Sequence, residues 1–147
     1  MLAAPVHMEP ERASTRSSAG RWRIDVYPQF VKLELSPTAA QQEQAESLRE
    51  AARLCRDSGG RGVVCIFSGS SPEFYLAAAA ALERLSELWS GSQRRLALVY
   101  ADAAAKTACE YGCWAAARRE IEAQLFDEEQ RAVDWVVGPG AVPGYRD

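Results

Sequence analysis

Two short apolar runs constrain this chain more than any other feature. Gly62-Val63-Val64-Cys65-Ile66-Phe67 and Leu96-Ala97-Leu98-Val99-Tyr100 carry no polar side chain until their ends. A strand wet on one face alternates apolar and polar residues, whereas an unbroken run suits a strand covered on both faces. Each run gives way to a polar turn and then to apolar residues at helical spacing. After the first, Phe74, Ala78, Ala81, Leu82, Leu85, Leu88 and Trp89 line one side of a helix. After the second, Asp102 opens an alanine-rich helix that continues to about Arg118. Strands alternating with helices pair in parallel through right-handed crossovers, so the chain is expected to be α/β.

The flanking segments extend this pattern. Trp22, Ile24 and Val26 alternate with Arg23 and Asp25, and Val31, Leu33 and Leu35 alternate with Lys32 and Glu34. With Pro28-Gln29 between them, the two segments read as an antiparallel hairpin buried on one face. Thr38 and Gln41 have capping-box spacing ahead of a helix whose apolar side is Ala45, Leu48, Ala51, Ala52 and Cys55, stopped by Gly59-Gly60. Ser71 and Pro72 suit the N-cap and first position of the helix after Phe67. Ile121, Ala123 and Leu125 give a last strand. Asp127 and Gln130 again have capping spacing, ahead of a helix buried through Ala132, Val133, Trp135 and Val136. The expected order is ββαβαβαβα: a single-domain mixed sheet of about five strands, the N-terminal hairpin plus parallel strands, with helices packed on it. Residues 1–20, poor in large apolar groups, are expected to form a disordered arm, residues 21–137 the domain, and residues 138–147 a flexible tail.

The 147 residues suit one domain able to bury its own core. A formal net charge of -3 argues against a nucleic-acid footprint, which needs a basic face. No run reaches the roughly 20 apolar residues needed to span a bilayer, and the opening Met1-Leu2-Ala3-Ala4-Pro5-Val6-His7 is too interrupted for a secretory leader. The expected location is cytoplasmic. Cys55, Cys65, Cys109 and Cys113 then read as free, packed thiols.

The residues that carry common chemistries are sparse. Zinc requires three or four converging ligands. The single histidine, His7, lies in the N-terminal arm, and Cys109 and Cys113 share a helix face without a partner pair. A nucleophile needs a positioned base, and the two lysines, Lys32 and Lys106, are the remaining bases. Ser68-Gly69-Ser70-Ser71 lacks the lysine of a phosphate loop. Its serines and Asp102, each at a strand-to-helix turn, nevertheless form a candidate interaction or phosphorylation loop: Ser68, Ser70, Ser71 and Asp102. The plain alternative is that they cap helices. Phe74, Tyr75 and Trp114 are candidate pocket or surface aromatics. Helical spacing favours the core for Phe74, while Tyr75 and Trp114 suit a pocket mouth or a partner surface.

Two stretches, set in this order of elements, resemble a known family. Arg95-Leu96-Ala97-Leu98-Val99-Tyr100-Ala101-Asp102 is similar to the apolar strand running into a polar turn, and Leu125-Phe126-Asp127-Glu128-Glu129-Gln130-Arg131-Ala132-Val133-Asp134-Trp135-Val136 to the strand, Phe, acidic cap and closing helix, of the STAS or SpoIIAA-like domains, which have Sec14-like lipid-binding relatives. The resemblance covers about residues 21–137. It implies a non-enzymatic regulatory domain of a bacterial signalling system that binds a protein partner, without a cofactor or metal. In some members a serine of an Asp-Ser pair at the helix after the central strand is phosphorylated. The matching stretch here is Ser70-Ser71-Pro72, without the Asp. The Sec14-like relatives imply the alternative, a binder of a small hydrophobic or lipid-like ligand. The hairpin edge permits a homodimer.

Overall fold

A computed structural model describes residues 15–16, 21–36, 41–69 and 72–138, with backbone alone at 15–16, 41, 72–77 and 79. The elements run β1 (Thr15–Arg16), β2 (Trp22–Val26), β3 (Val31–Leu35), α1 (Gln41–Ser58), β4 (Gly62–Phe67), α2 (Pro72–Leu88), β5 (Arg95–Tyr100), α3 (Ala103–Ala117), β6 (Glu122–Phe126) and α4 (Glu129–Val137). The strands form one mixed sheet in chain order, β1-β2-β3-β4-β5-β6. The first two pairings are antiparallel and the rest parallel. The α/β class, the hairpin and the parallel crossovers are as the periodicity predicts. The two-residue β1, paired with Ile24 and Arg23, adds a short edge inside the stretch expected to be a disordered arm.

Register divides the strand residues between two faces. Val31, Val63, Leu96 and Ala123 stand side by side, as do Leu33, Cys65, Leu98 and Leu125. Both rows lie in the larger core, together with Ala51, Leu54 and Cys55 of α1, Leu82 and Leu85 of α2, and Cys109 and Ala116 of α3. Three consecutive crossovers in one direction along the sheet put α1, α2 and α3 on a single face. The small residues of α1 and α3 let those helices come close to the strands. Trp89, at the end of α2, is buried, and its indole Nε1 donates to the Ala52 carbonyl at 3.2 Å, which meets the need of a buried indole for an acceptor.

The opposite face belongs to α4. Val133 and Val136 cover Val64, Ala97 and Val99 in a second core that also holds Phe30. An isolated helix of nine residues is not stable in water. Its order comes from burial, at about 1.5–3 kcal/mol for each fully buried valine. The cap expected from Asp127 and Gln130 does not form. The N-cap residue is Glu128, whose side chain makes no capping bond, Asp127 pairs instead with Arg131, and Gln130 donates to Asp134 at 3.1 Å. One turn further along, an i,i+4 ion pair competes successfully for the Asp127 carboxylate. At the hairpin side of this face, Lys32 Nζ lies 3.1 Å from Glu129 and 3.4 Å from Glu34. Burial works against the lysine charge, but Glu129, with Tyr27 and Glu34, more than offsets it, and the Lys32 pKa lies above the ordinary lysine value.

Thr38, and with it the expected capping box ahead of α1, lies outside the described residues, as do Ser70 and Ser71.

Candidate functional site

The C-terminal ends of β4 and β5 lie side by side, with Phe67 opposite Tyr100, and the pairing runs one step further through the Ala101 N–H to the Phe67 carbonyl at 2.9 Å. Both chains then turn outward into helices. In open parallel sheets this edge is the usual place for a binding site. Gly69 takes φ +70°, a left-handed conformation that glycine adopts without the penalty of a Cβ. Asp102 is extended, with φ -152°, and caps α3: its Oδ1 accepts from the Ala105 N–H at 2.9 Å. The same carboxylate accepts from the Gly69 N–H, at 2.9 Å to Oδ2 and 3.2 Å to Oδ1. A single exposed side chain therefore ties the loop after β4 to the start of α3. The ammonium of Lys106, one turn into α3, lies 5.8 Å from the Tyr100 ring and adds a positive charge at this edge.

Of the residues singled out from sequence, Ser68 and Asp102 meet at this corner, and Ser70 and Ser71 follow directly in the chain. Phe74 and Tyr75 fall in the first turns of α2, where only backbone is described. Trp114 is elsewhere. It stands twelve residues beyond Asp102, roughly 18 Å along the helix axis at 1.5 Å per residue, and is 56% exposed. Its ring lies 5.7 Å from Tyr111 and 5.2 Å from the Arg118 guanidinium. Trp114 is thus a surface aromatic and does not line the apolar cavity. That cavity lies between the sheet and α1–α3, lined by Leu33, Leu48, Phe67, Leu82, Leu98 and Gly112 among others, with a volume of about 40 Å³.

Among the described residues no group of three or more His, Cys, Asp or Glu is arranged to hold a metal ion. The four cysteines are free. Burial pushes the Cys55 thiol up to about 11, Cys113 to about 11 and Cys109 to about 12, and raises Cys65 as well. Held as neutral thiols, they are poor nucleophiles at neutral pH.

A second concavity opens at the other end of the same strands, lined by Arg61, Arg94 and Arg95. Nothing in the composition singles out these arginines, since the net charge is -3. The available signal was positional: Arg61 immediately precedes β4, Arg94 immediately precedes β5 and Arg95 begins it, and parallel pairing lines up the starts of both strands.

No family model, curated protein or solved structure matches the chain. No helix among the described residues is long and apolar enough to cross a membrane.

Proposed function

We propose that the chain is a non-enzymatic STAS or SpoIIAA-like regulatory domain, cytoplasmic, that binds a protein partner through the corner formed by the β4–α2 loop and the start of α3. The double grip of Asp102 on the Gly69 and Ala105 amides is the observation that carries this reading. It gives the loop a fixed starting point at the strand edge where parallel sheets present their ligand contacts. Ser70 and Ser71 come immediately after that point. A phosphate there adds about two negative charges, which an acidic partner surface repels.

The test is affinity capture with the full chain, with Ser70→Glu and with Trp114→Ala, followed by titration of the captured protein once purified. The reading expects a partner that binds the full chain and Trp114→Ala but loses at least about tenfold in affinity, or about 1.4 kcal/mol, with Ser70→Glu. Equal binding by all three would remove the corner from consideration.

The apolar cavity favours the second reading, a small hydrophobic or lipid-like ligand. Its volume of about 40 Å³ is small for that purpose. A dry apolar cavity of roughly 150 Å³ takes up benzene. A lipid tail would have to displace a helix, so the protein-binding reading is preferred. Native mass spectrometry of the purified protein distinguishes the two through the presence or absence of a co-purified mass.

A further inference from the structure

We infer that the arginine-lined cleft at the N-terminal ends of β4 and β5 is a binding site for a phosphate-bearing small molecule. It lies at the opposite end of the strands from the Ser68–Asp102 corner, about 20 Å away for six-residue strands. The cleft is open to solvent, offers about 440 Å³ and is lined by Arg61, Ser92, Gln93, Arg94, Arg95 and the end of α4. This volume falls within the roughly 300–1,000 Å³ of small-molecule sites. Three of the lining side chains are cationic, two are neutral and polar, and none is acidic.

Each guanidinium is anchored to a backbone carbonyl and has donors to spare, although Arg94 also lies against the buried Cys55 thiol. Arg61 Nη1 donates to the Val137 carbonyl, Arg95 Nη1 to the Trp135 carbonyl at 2.7 Å, and Arg94 Nε to the Gly60 carbonyl at 2.9 Å. A guanidinium has five N–H donors. Those anchors hold the forks in place by backbone bonds, so a bound anion would find them already oriented and lose less side-chain entropy on binding. Trp135 stiffens Arg95 further, its ring lying 4.9 Å from the guanidinium carbon.

The forks also converge. Arg61 Nη1 and Arg95 Nη1 are 3.9 and 4.0 Å from the position a Cβ would occupy on Gly138. Gly138 takes φ +72° and brings no side chain toward either guanidinium. Like charges brought together in this way are stabilised by an anion between them, and arginine forks match phosphate oxygens in geometry. The arginines do serve α4, since two of them cap its last carbonyls. Arg94 serves the α1–β4 turn instead, through the Gly60 carbonyl and the Cys55 thiol, and none of these roles supplies a counter-charge. Arg61 and Arg94 form no ion pair among the described residues, and the single acid against Arg95 is the well-exposed Glu122 at 3.4 Å. Val136 and Val137 give the cleft an apolar wall, which suits an organic group attached to the phosphate.

Calorimetry with inorganic pyrophosphate, inorganic phosphate and a nucleoside monophosphate, at about 0.05 M and about 0.2 M salt, tests the assignment. Saturable binding is expected to weaken with salt and to fall at least about tenfold in Arg61→Gln and in Arg94→Gln. Tighter binding of the nucleotide than of inorganic phosphate would assign an organic phosphate, and the reverse order a free anion. Amide resonances of Ser92, Gln93 and Gly138 in the unaltered chain should shift during the titration, a readout independent of how the variants fold. No saturable binding up to about 10 mM of any probe, shifts confined to other residues, or affinity in both variants unchanged from that of the unaltered chain would overturn the site.

Discussion

Asp102 shows how one side chain can be readable in part. A lone Asp between an apolar strand and a helical pattern signals an N-cap, and it is one. Its hold on Gly69 was not readable, because the two are 33 residues apart in sequence and meet only once β4 and β5 pair. Asp102→Ala should cost about 1–2 kcal/mol in urea unfolding, since it removes a cap and a loop tie together, while Asp102→Asn should lose less than half of that. Gln29 offers the opposite case. Its Oε1 is buried with no hydrogen-bond partner among the described residues. An unsatisfied buried acceptor costs about 1–3 kcal/mol, so Gln29→Met should be neutral or stabilise by up to about 1 kcal/mol. A drop in the unfolding midpoint would mean that the amide has a role in the native state. Gly62 has no room for a side chain. A Cβ there would overlap the Arg95 carbonyl and come within 2.9 Å of Val136 Cγ1. Because the first obstacle is backbone, Gly62→Ala should destabilise by about 3 kcal/mol or more, or prevent recovery of folded protein.

The five long strands and four helices were legible because each either repeats a period or, as β4 and β5 do, keeps an unbroken apolar run between polar turns. Val31, Leu33 and Leu35 alternate over a whole strand. Thr15–Arg16 is too short to show any period and becomes a strand only because β2 presents a free edge. For α4 the apolar side was legible and its destination was not: Ala132, Val133 and Val136 state that one side is buried, but not against which face of the sheet. The chain connection decides that, since the crossover helices already occupy the other face. The arginine cleft failed to show for the same reason. Arg61 and Arg95 are unremarkable surface residues until parallel register sets Gly62 beside Arg95. The helix makes a prediction of its own. A chain ending at residue 127 exposes Val64, Ala97, Val99 and Phe30 together, and should aggregate or bind a hydrophobic dye, where the full chain does neither. A monomeric, dye-negative truncation would show that α4 is dispensable for the sheet.

For the molecule as a whole, the thiols set a limit in alkali. A thiol near 9 in the unfolded chain and near 11 or 12 in the folded one binds more protons when folded over the interval between those values. The stabilisation is therefore complete below pH 9 and is lost as pH rises toward the folded pKa. Each such thiol takes away about 1.4 kcal/mol per pH unit across that interval. Lys32, whose pKa is also raised, works in the same direction above its unfolded value. Urea midpoints should be level from neutral pH to about 9 and then fall, and Cys55→Ala should flatten that fall. A slope identical in the variant would exclude Cys55 as a contributor.

The distance between the two edges of the parallel strands has a practical corollary for genetics. Sites more than about 10 Å apart with no shared neighbour contribute additively. Lesions in the guanidinium cluster and in the serine loop should accordingly sort into separate phenotypes, and a double mutant should display their plain sum. Synergy between them would reveal a stiff mechanical link running the length of β4 and β5, making the two ends one device.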